Sequence, residues 1–159
     1  MWSKERYARY VGVKIGKESN IQDVNFGSEP YLIEIGNHVQ ITNGTKFFTH
    51  GAAWVLREKY PDIDFFGKIK IGNNVYIGNN SLILSGVSVG SNVIIAAGSV
   101  VTKSIKDGRI VGGNPAVIIG RVDDFDTKVI GFNVNSKGFS YRKKKKFLLS
   151  LDDDRFIKK

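Results

Sequence analysis

From Ile71 to Val101 an aliphatic residue returns at every sixth position: Ile71, Ile77, Ile83, Val89, Ile95 and Val101. The blocks read IGNNVY, IGNNSL, ILSGVS, VGSNVI and IAAGSV, and their fifth places (Val75, Ser81, Val87, Val93, Ser99) are all small or β-branched. Earlier blocks keep the phase less strictly: IGKESN and IQDVNF from Ile15, then IGNHVQ and ITNGTK from Ile35, with Phe47 in step. A period of six fits neither an amphipathic helix nor a simple alternating strand. It fits a short strand whose first and fifth residues turn inward, followed by a Gly, Asn or Asp corner that tolerates positive φ. Three blocks make one triangular turn of about 18 residues, and turns stack about 4.8 Å apart. The expected fold is all-β, a parallel β-helix built from hexapeptide repeats.

Two stretches leave the phase. Residues 22–34 (QDVNFGSEPYLIE) are irregular, and residues 51–68 (GAAWVLREKYPDIDFFGK) form an excursion between Phe47 and the clean run. Insertions in a repeat protein gather on one face, often the binding face. The segment SKERYARY predicts a short N-terminal helix covering the open end of the coil and hiding a sheet edge. The repeat stops near Arg121. The boundaries expected are 1–121 for the coil and 122–159 for a basic extension, with an amphipathic helix near residues 143–157. The preceding GFNVNSKGFSY reads as strand or loop.

Composition narrows the chemistry. The 159 residues hold 18 glycines, two histidines and no cysteine. That removes disulfides, thiolate metal sites and a cysteine nucleophile. No metal is expected, because two histidines and no acidic cluster make no ligand set. The N-terminus lacks the apolar core of a signal peptide and no apolar run reaches about 20 residues, so a cytoplasmic location is the expectation. The net charge is +9, with +5 of it from Arg121 onward, where Arg142 and Lys143–Lys146 form a run. Weak association with the anionic inner membrane surface is one reading of that run, and a solvated tail is the other. Nucleic acid is not expected, because no recognition motif or interleaved aromatic platform accompanies it.

The hexapeptides, together with IAAGSVVTKSI and IVGGNPAVIIGR, resemble the hexapeptide-repeat acyltransferases. FGSEPYLIEIGNHVQITNGTKFFTHG and WVLREKYPDIDFFGKIKIGNNVYIG resemble the bacterial O-acetyltransferases of sugars and surface polysaccharides. The resemblance spans roughly residues 11–121. It implies a left-handed β-helix, a homotrimer, and acetyl-CoA held between neighbouring prisms as donor to a sugar or glycan hydroxyl. It also implies that His50, in Phe47-Phe48-Thr49-His50, is the general base. A hydroxyl is a poor nucleophile, and an imidazole with an unperturbed pKa near 6.5 suits removing its proton at neutral pH. Asn25 matches the asparagine that such enzymes place beside the histidine. It would accept the His50 N–H, or else serve as a plain turn residue. His38, at a repeat corner, reads as a surface residue.

The same resemblance assigns Asn79, Ala97, Gly98, Thr102 and Lys103 to the donor, along its pantetheine arm or nucleotide end, and Arg121 to a phosphate. In the excursion, Trp54 offers a face for a sugar ring, and Arg57 and Glu58 offer charges for its hydroxyls. The alternative for Trp54 is packing on a neighbouring subunit. The expected reaction is direct acetyl transfer in a ternary complex, since no cysteine can carry the acyl group. Alternatives are N-acetylation of an amino sugar, a longer acyl donor, or a non-catalytic trimeric scaffold.

Overall fold

The structure, a computed structural model, describes residues 3–158; Met1, Trp2 and Lys159 of the expected terminal segments lie outside it. Two compact units are present, one ending at Val122 and the other starting at Asp123. The first is a coil of short strands that lie in three sheets in turn. One sheet holds Lys14–Ile15, Ile33–Ile35, Ile69–Ile71 and Ser88–Val89. The second holds Asn20–Ile21, Val39–Ile41, Val75–Ile77, Val93–Ile95, Arg109–Gly112 and Val117–Arg121. The third holds Lys46–Phe47, Leu82–Ile83 and Val100–Val101. All pairings are parallel except the last of the second sheet, where Val117–Arg121 folds back on Arg109–Gly112.

The register follows the repeat. Ile71 pairs with Val89, Ile77 with Ile95 and Ile83 with Val101, each 18 positions on. Ile35 pairs with Ile71, 36 positions on, because the excursion is inserted between them. All six aliphatic repeat residues and all five fifth-place residues are buried. Each inward isoleucine contributes about 1.5–3 kcal/mol by leaving water. Where the fifth place is polar, the hydroxyl turns back onto its own corner. Thr45 Oγ1 donates to Thr42 O at 3.0 Å, Ser81 Oγ to Gly78 O at 2.7 Å and Ser99 Oγ to Ala96 O at 2.6 Å. These buried hydroxyls are therefore all satisfied.

The corners carry the constraint. A Cβ added at Gly16, Gly36 or Gly72 would lie 2.6 Å from the backbone oxygen of the next turn's corner glycine. Beside this column runs a ladder of side chains that accept from backbone amides. Asn37 Oδ1 takes Lys17 N–H, Asn73 Oδ1 takes Asn37 N–H, Ser91 Oγ takes Asn73 N–H and Asp107 Oδ1 takes Ser91 N–H. The next residues on these corners (Glu18, His38, Asn74 and Asn92) share positive φ between 53° and 57°. His38 is exposed there, and its Nδ1 is 2.8 Å from Asn74 Oδ1.

Helix α1 (Lys4–Tyr10) starts at Ser3, whose side chain accepts from Arg6 N–H. It buries Ala8 in the core cluster that also holds Val13, Ile15 and Ile21. Arg9 fixes it to the first turn through Ile15 O and Gly16 O and pairs with Glu5 at 2.9 Å. The second unit is helical rather than β. Helix α2 (Val122–Val129) starts at the junction, and α3 spans Tyr141–Leu148. GFNVNSKGFSY is a 3₁₀ turn and loop rather than a strand.

Helix α3 is shorter than the expected 143–157. It begins at Ser140, which caps Lys143 N–H, and its C-cap is Leu149. Asp152–Asp154 would sit against the negative end of its dipole; Asp153–Arg155 form a separate 3₁₀ turn instead. Among the described residues no helix is long and apolar enough to cross a membrane.

The corner geometry gives a stability test. Gly72→Ala forces a methyl into the Gly90 carbonyl and is expected to cost about 2–4 kcal/mol in urea denaturation. Gly51→Ala, with nothing within 4 Å of the added Cβ, is expected to change stability by less than about 0.5 kcal/mol.

Candidate functional site

The irregular stretch 22–34 and the start of the excursion meet on successive turns at the edge of the third sheet. Asn25 and Lys46 form a parallel bridge, and the Phe26 and Phe47 rings stack at 5.5 Å. Asn25 Oδ1 accepts Gly27 N–H at 2.8 Å, an Asx-type turn that lets Gly27 take φ +69°. Proline at 30 then keeps Glu29 out of the helical region, at φ −117° and ψ 62°, as the residue before a short 3₁₀ turn. The Glu29 side chain is only 14% exposed.

It points at the next turn. Glu29 Oε2 lies 2.5 Å from Thr49 Oγ1 and 2.8 Å from His50 Nδ1. The Thr49 hydroxyl foremost, with His50 alongside, holds the Glu29 carboxyl below the ordinary glutamate value against the opposing effect of burial. An ionised carboxylate only accepts, so the contact places a proton on Nδ1, and the neutral imidazole in that tautomer has its lone pair at Nε2. On the other side the Phe66 ring meets His50 edge-on at 5.6 Å, and Gly67 N–H donates to Thr49 O at 2.7 Å. The far end of the excursion thus closes back on the residues where it began.

His50 remains 43% exposed and lines a cavity of about 290 Å³ with Asn25, Ser28, Lys46 and Thr49. A larger neighbouring cavity of about 630 Å³ shares Asn25, Gly27, Ser28 and Lys46 and continues to Tyr7 and Asp23. Asp23 is held ionised by Lys4, at 2.8 Å. The two cavities thus share Asn25, Gly27, Ser28 and Lys46, and only the smaller one is lined by His50.

The expected Asn25–His50 hydrogen bond is not formed. Glu29 supplies the acceptor, while Asn25 shapes the turn that presents Glu29 and lines the same cavity. The donor-side residues fall into two groups on either side of the third sheet. Asn79 stacks under Ala97 and Gly98, with Gly98 N–H donating to Asn79 O at 2.8 Å. Thr102 and Lys103 follow Val101, on the edge where Phe48 and Leu84 follow their strands, the edge that His50 shares. All five are exposed.

Arg121 lies directly across the antiparallel pair from Arg109, whose buried Nε has no hydrogen-bond partner. Trp54, Arg57 and Glu58 are exposed on the excursion, Trp54 at 79%, and none of them lines the His50 cavity. Among the described residues no group of three or more His, Cys, Asp or Glu side chains is placed to hold a metal. Sequence reasoning missed Glu29 and Phe66. The one available signal was that both lie in stretches that break the six-residue phase.

Residues 68–103 match the family model described as bacterial transferase hexapeptide (six repeats). The chain is 51% identical over 146 residues to Protein CapG of Staphylococcus aureus, covering 89% of this chain and 85% of that one. Its fold is similar to that of a maltose O-acetyltransferase from Clostridium difficile 630, with a TM-score of 0.63 and 27% identity over 75% of this chain and 74% of that one. It is also similar to a hexapeptide-repeat-containing acetyltransferase from Vibrio cholerae complexed with acetyl coenzyme A. There the TM-score is 0.61 and the identity 30%, over 70% of this chain and 61% of the other. The repeat, the relative matched over most of both chains and the shared fold agree: this chain belongs to the hexapeptide-repeat acyltransferase family.

Proposed function

We propose that the protein is an O-acetyltransferase that moves an acetyl group from acetyl-CoA to a hydroxyl of a sugar or nascent surface polysaccharide. The observation that carries this reading is the Glu29–His50 pair at the wall of an open cavity. His50 Nε2 takes the hydroxyl proton as the oxygen attacks the thioester carbon. The carbon–sulfur bond then breaks, and the imidazolium returns the proton to the leaving thiolate. Glu29 fixes the tautomer and stabilises the imidazolium that forms. No cysteine is present to take the acyl group first, so transfer is direct, and the chemistry needs no metal. The maltose O-acetyltransferase and the acetyl-CoA complex among the similar structures support this donor and acceptor class.

The coil is taken to have the left hand of the family's β-helix, with residues 1–121 as the catalytic domain and 122–159 as an extension. The enzyme acts as a cytoplasmic homotrimer. Asn79, Ala97 and Gly98 on one edge of the third sheet, and Thr102 and Lys103 on the other, then face a common groove from adjacent subunits and hold the donor. Arg121, opposite Arg109 in the antiparallel pair, is assigned to the donor's phosphates on the family resemblance. Asn25 contacts the acceptor in the His50 cavity, and Trp54, Arg57 and Glu58 on the excursion offer further acceptor contacts outside that cavity. The basic extension adds a weak attraction to the inner membrane surface.

Two measurements test the site. His50→Ala is expected to lower the transfer of radiolabelled acetyl to a panel of sugars and lipid-linked intermediates by about 10²–10⁴-fold. Its affinity for acetyl-CoA in calorimetry should stay unchanged. Full transfer by this variant removes the proposed base. The second measurement follows Glu29 by pH. Its folded-state pKa lies below the ordinary 4.5, so its ionised contacts stabilise the fold fully above that value and fade as pH falls through the lower one. The stability difference between the wild type and Glu29→Gln in urea is therefore expected to be constant from neutrality to about pH 5 and to shrink below 4.5. A difference that stays constant below 4.5 rules out the ionised Glu29 contacts.

A further inference from the structure

The second unit has an energetic peculiarity: none of its described residues is buried. Its one cationic helix nevertheless has two unlike faces. Lys144, Phe147 and Leu148 are half-buried, and the Phe139 ring covers this side, meeting Phe147 at 5.4 Å and sitting 4.0 Å under Lys143 Nζ. On the other side two rows run at helical spacing, Tyr141–Lys145–Leu149 and Arg142–Lys146. Tyr141 is 82% and Leu149 77% exposed, with the cations between and beside them. Arg142, Lys145 and Lys146 form no ion pair with any described residue.

We propose that this outward face of α3 docks the protein onto an anionic lipid bilayer. Arg142, Lys145 and Lys146 meet the headgroups, and Leu149 and Tyr141 enter the boundary with the acyl chains. Cations flanking an exposed aliphatic and an amphipathic aromatic form the pattern of a helix lying in a membrane interface. Long basic side chains extend to the headgroups while an apolar neighbour sinks below them.

The pattern discriminates between occupants. A second copy of the same face is repelled by its charge. Nucleic acid accounts for the cations but leaves Leu149, at the C-terminal end of the patch, in water. A bilayer of anionic lipid satisfies both kinds of side chain at once. The docking does not depend on the acetyl-transfer reading, because it uses no residue of the His50 site.

The test is co-sedimentation of the full-length protein with phosphatidylcholine vesicles, with and without phosphatidylglycerol. Binding is expected only to the anionic vesicles and should weaken as salt is added. Combined Arg142→Glu, Lys145→Glu and Lys146→Glu should lower binding by about a hundredfold or more, and Leu149→Ser by about tenfold. Thermal melts that match the wild type show that the variants still fold. Three outcomes overturn the proposal: no binding to anionic vesicles at low salt, equal binding to neutral ones, or charge reversal without effect. Tighter binding to duplex RNA than to vesicles, insensitive to Leu149→Ser, overturns it in favour of nucleic acid. Calorimetry with acetyl-CoA on the same samples reports separately on the transfer reading.

Discussion

At the corner formed by Gly16, Gly36, Gly72 and Gly90, successive turns of the coil meet backbone to backbone, with no room for even one methyl group. This contact sets the pitch at the spacing of strands in a sheet. With the pitch fixed, the strands on all three sides fall into parallel register, and the residues in the first and fifth places of each block point inward together. The amides exposed by such tight corners need partners, and the Asn37, Asn73, Ser91 and Asp107 side chains supply them one turn apart. The corner therefore combines close backbone contact with a continuous ladder of hydrogen bonds. A larger residue there would disturb the stacking along the whole prism, not only its own turn.

The candidate site takes its geometry from the same stacking. Glu29 belongs to one turn and Thr49 and His50 to the next, so their 2.5 and 2.8 Å contacts span the gap between turns. The Asn25–Lys46 bridge and the stacked Phe26 and Phe47 rings fix that gap immediately beneath them. A loop alone would hold a carboxylate and an imidazole loosely. Here each hangs from a rigid turn, and only the last few residues of each are irregular. The excursion adds Phe66 as a third wall, returning to the prism within hydrogen-bonding distance of where it left.

The repeat was the most legible feature of the sequence, because a six-residue period has one cheap packing solution and every turn repeats it. His50 stood out through its motif and its place at the start of an insertion, and the structure puts it at a cavity wall against Glu29. Glu29 was not, because its partnership with His50 crosses 21 positions and depends on a turn made by Asn25, Gly27 and Pro30 together. None of these three residues signals a carboxylate's direction on its own. The limits of α3 were also hidden. The pattern after Lys143 remains amphipathic as far as residue 157, but three aspartates at the end of a helix oppose its dipole, and a window of hydrophobicity does not register that.

The two units are stabilised by different means. The first buries an aliphatic column along its axis, so its surface is free to carry a site. None of the second's described residues is buried, and Tyr141, Leu149 and Ile157 are each more than half exposed. A segment of this kind gains little by folding in water, since the apolar area removed must offset the entropy of ordering each residue. Its helix is capped and its aromatic pair is formed, so the chain has met part of that cost without the usual return. Contact with an apolar boundary edged by negative charge would supply the remainder. On that proposal the second unit's order would draw on a surface outside the chain, whereas the first unit's order comes from its own corners.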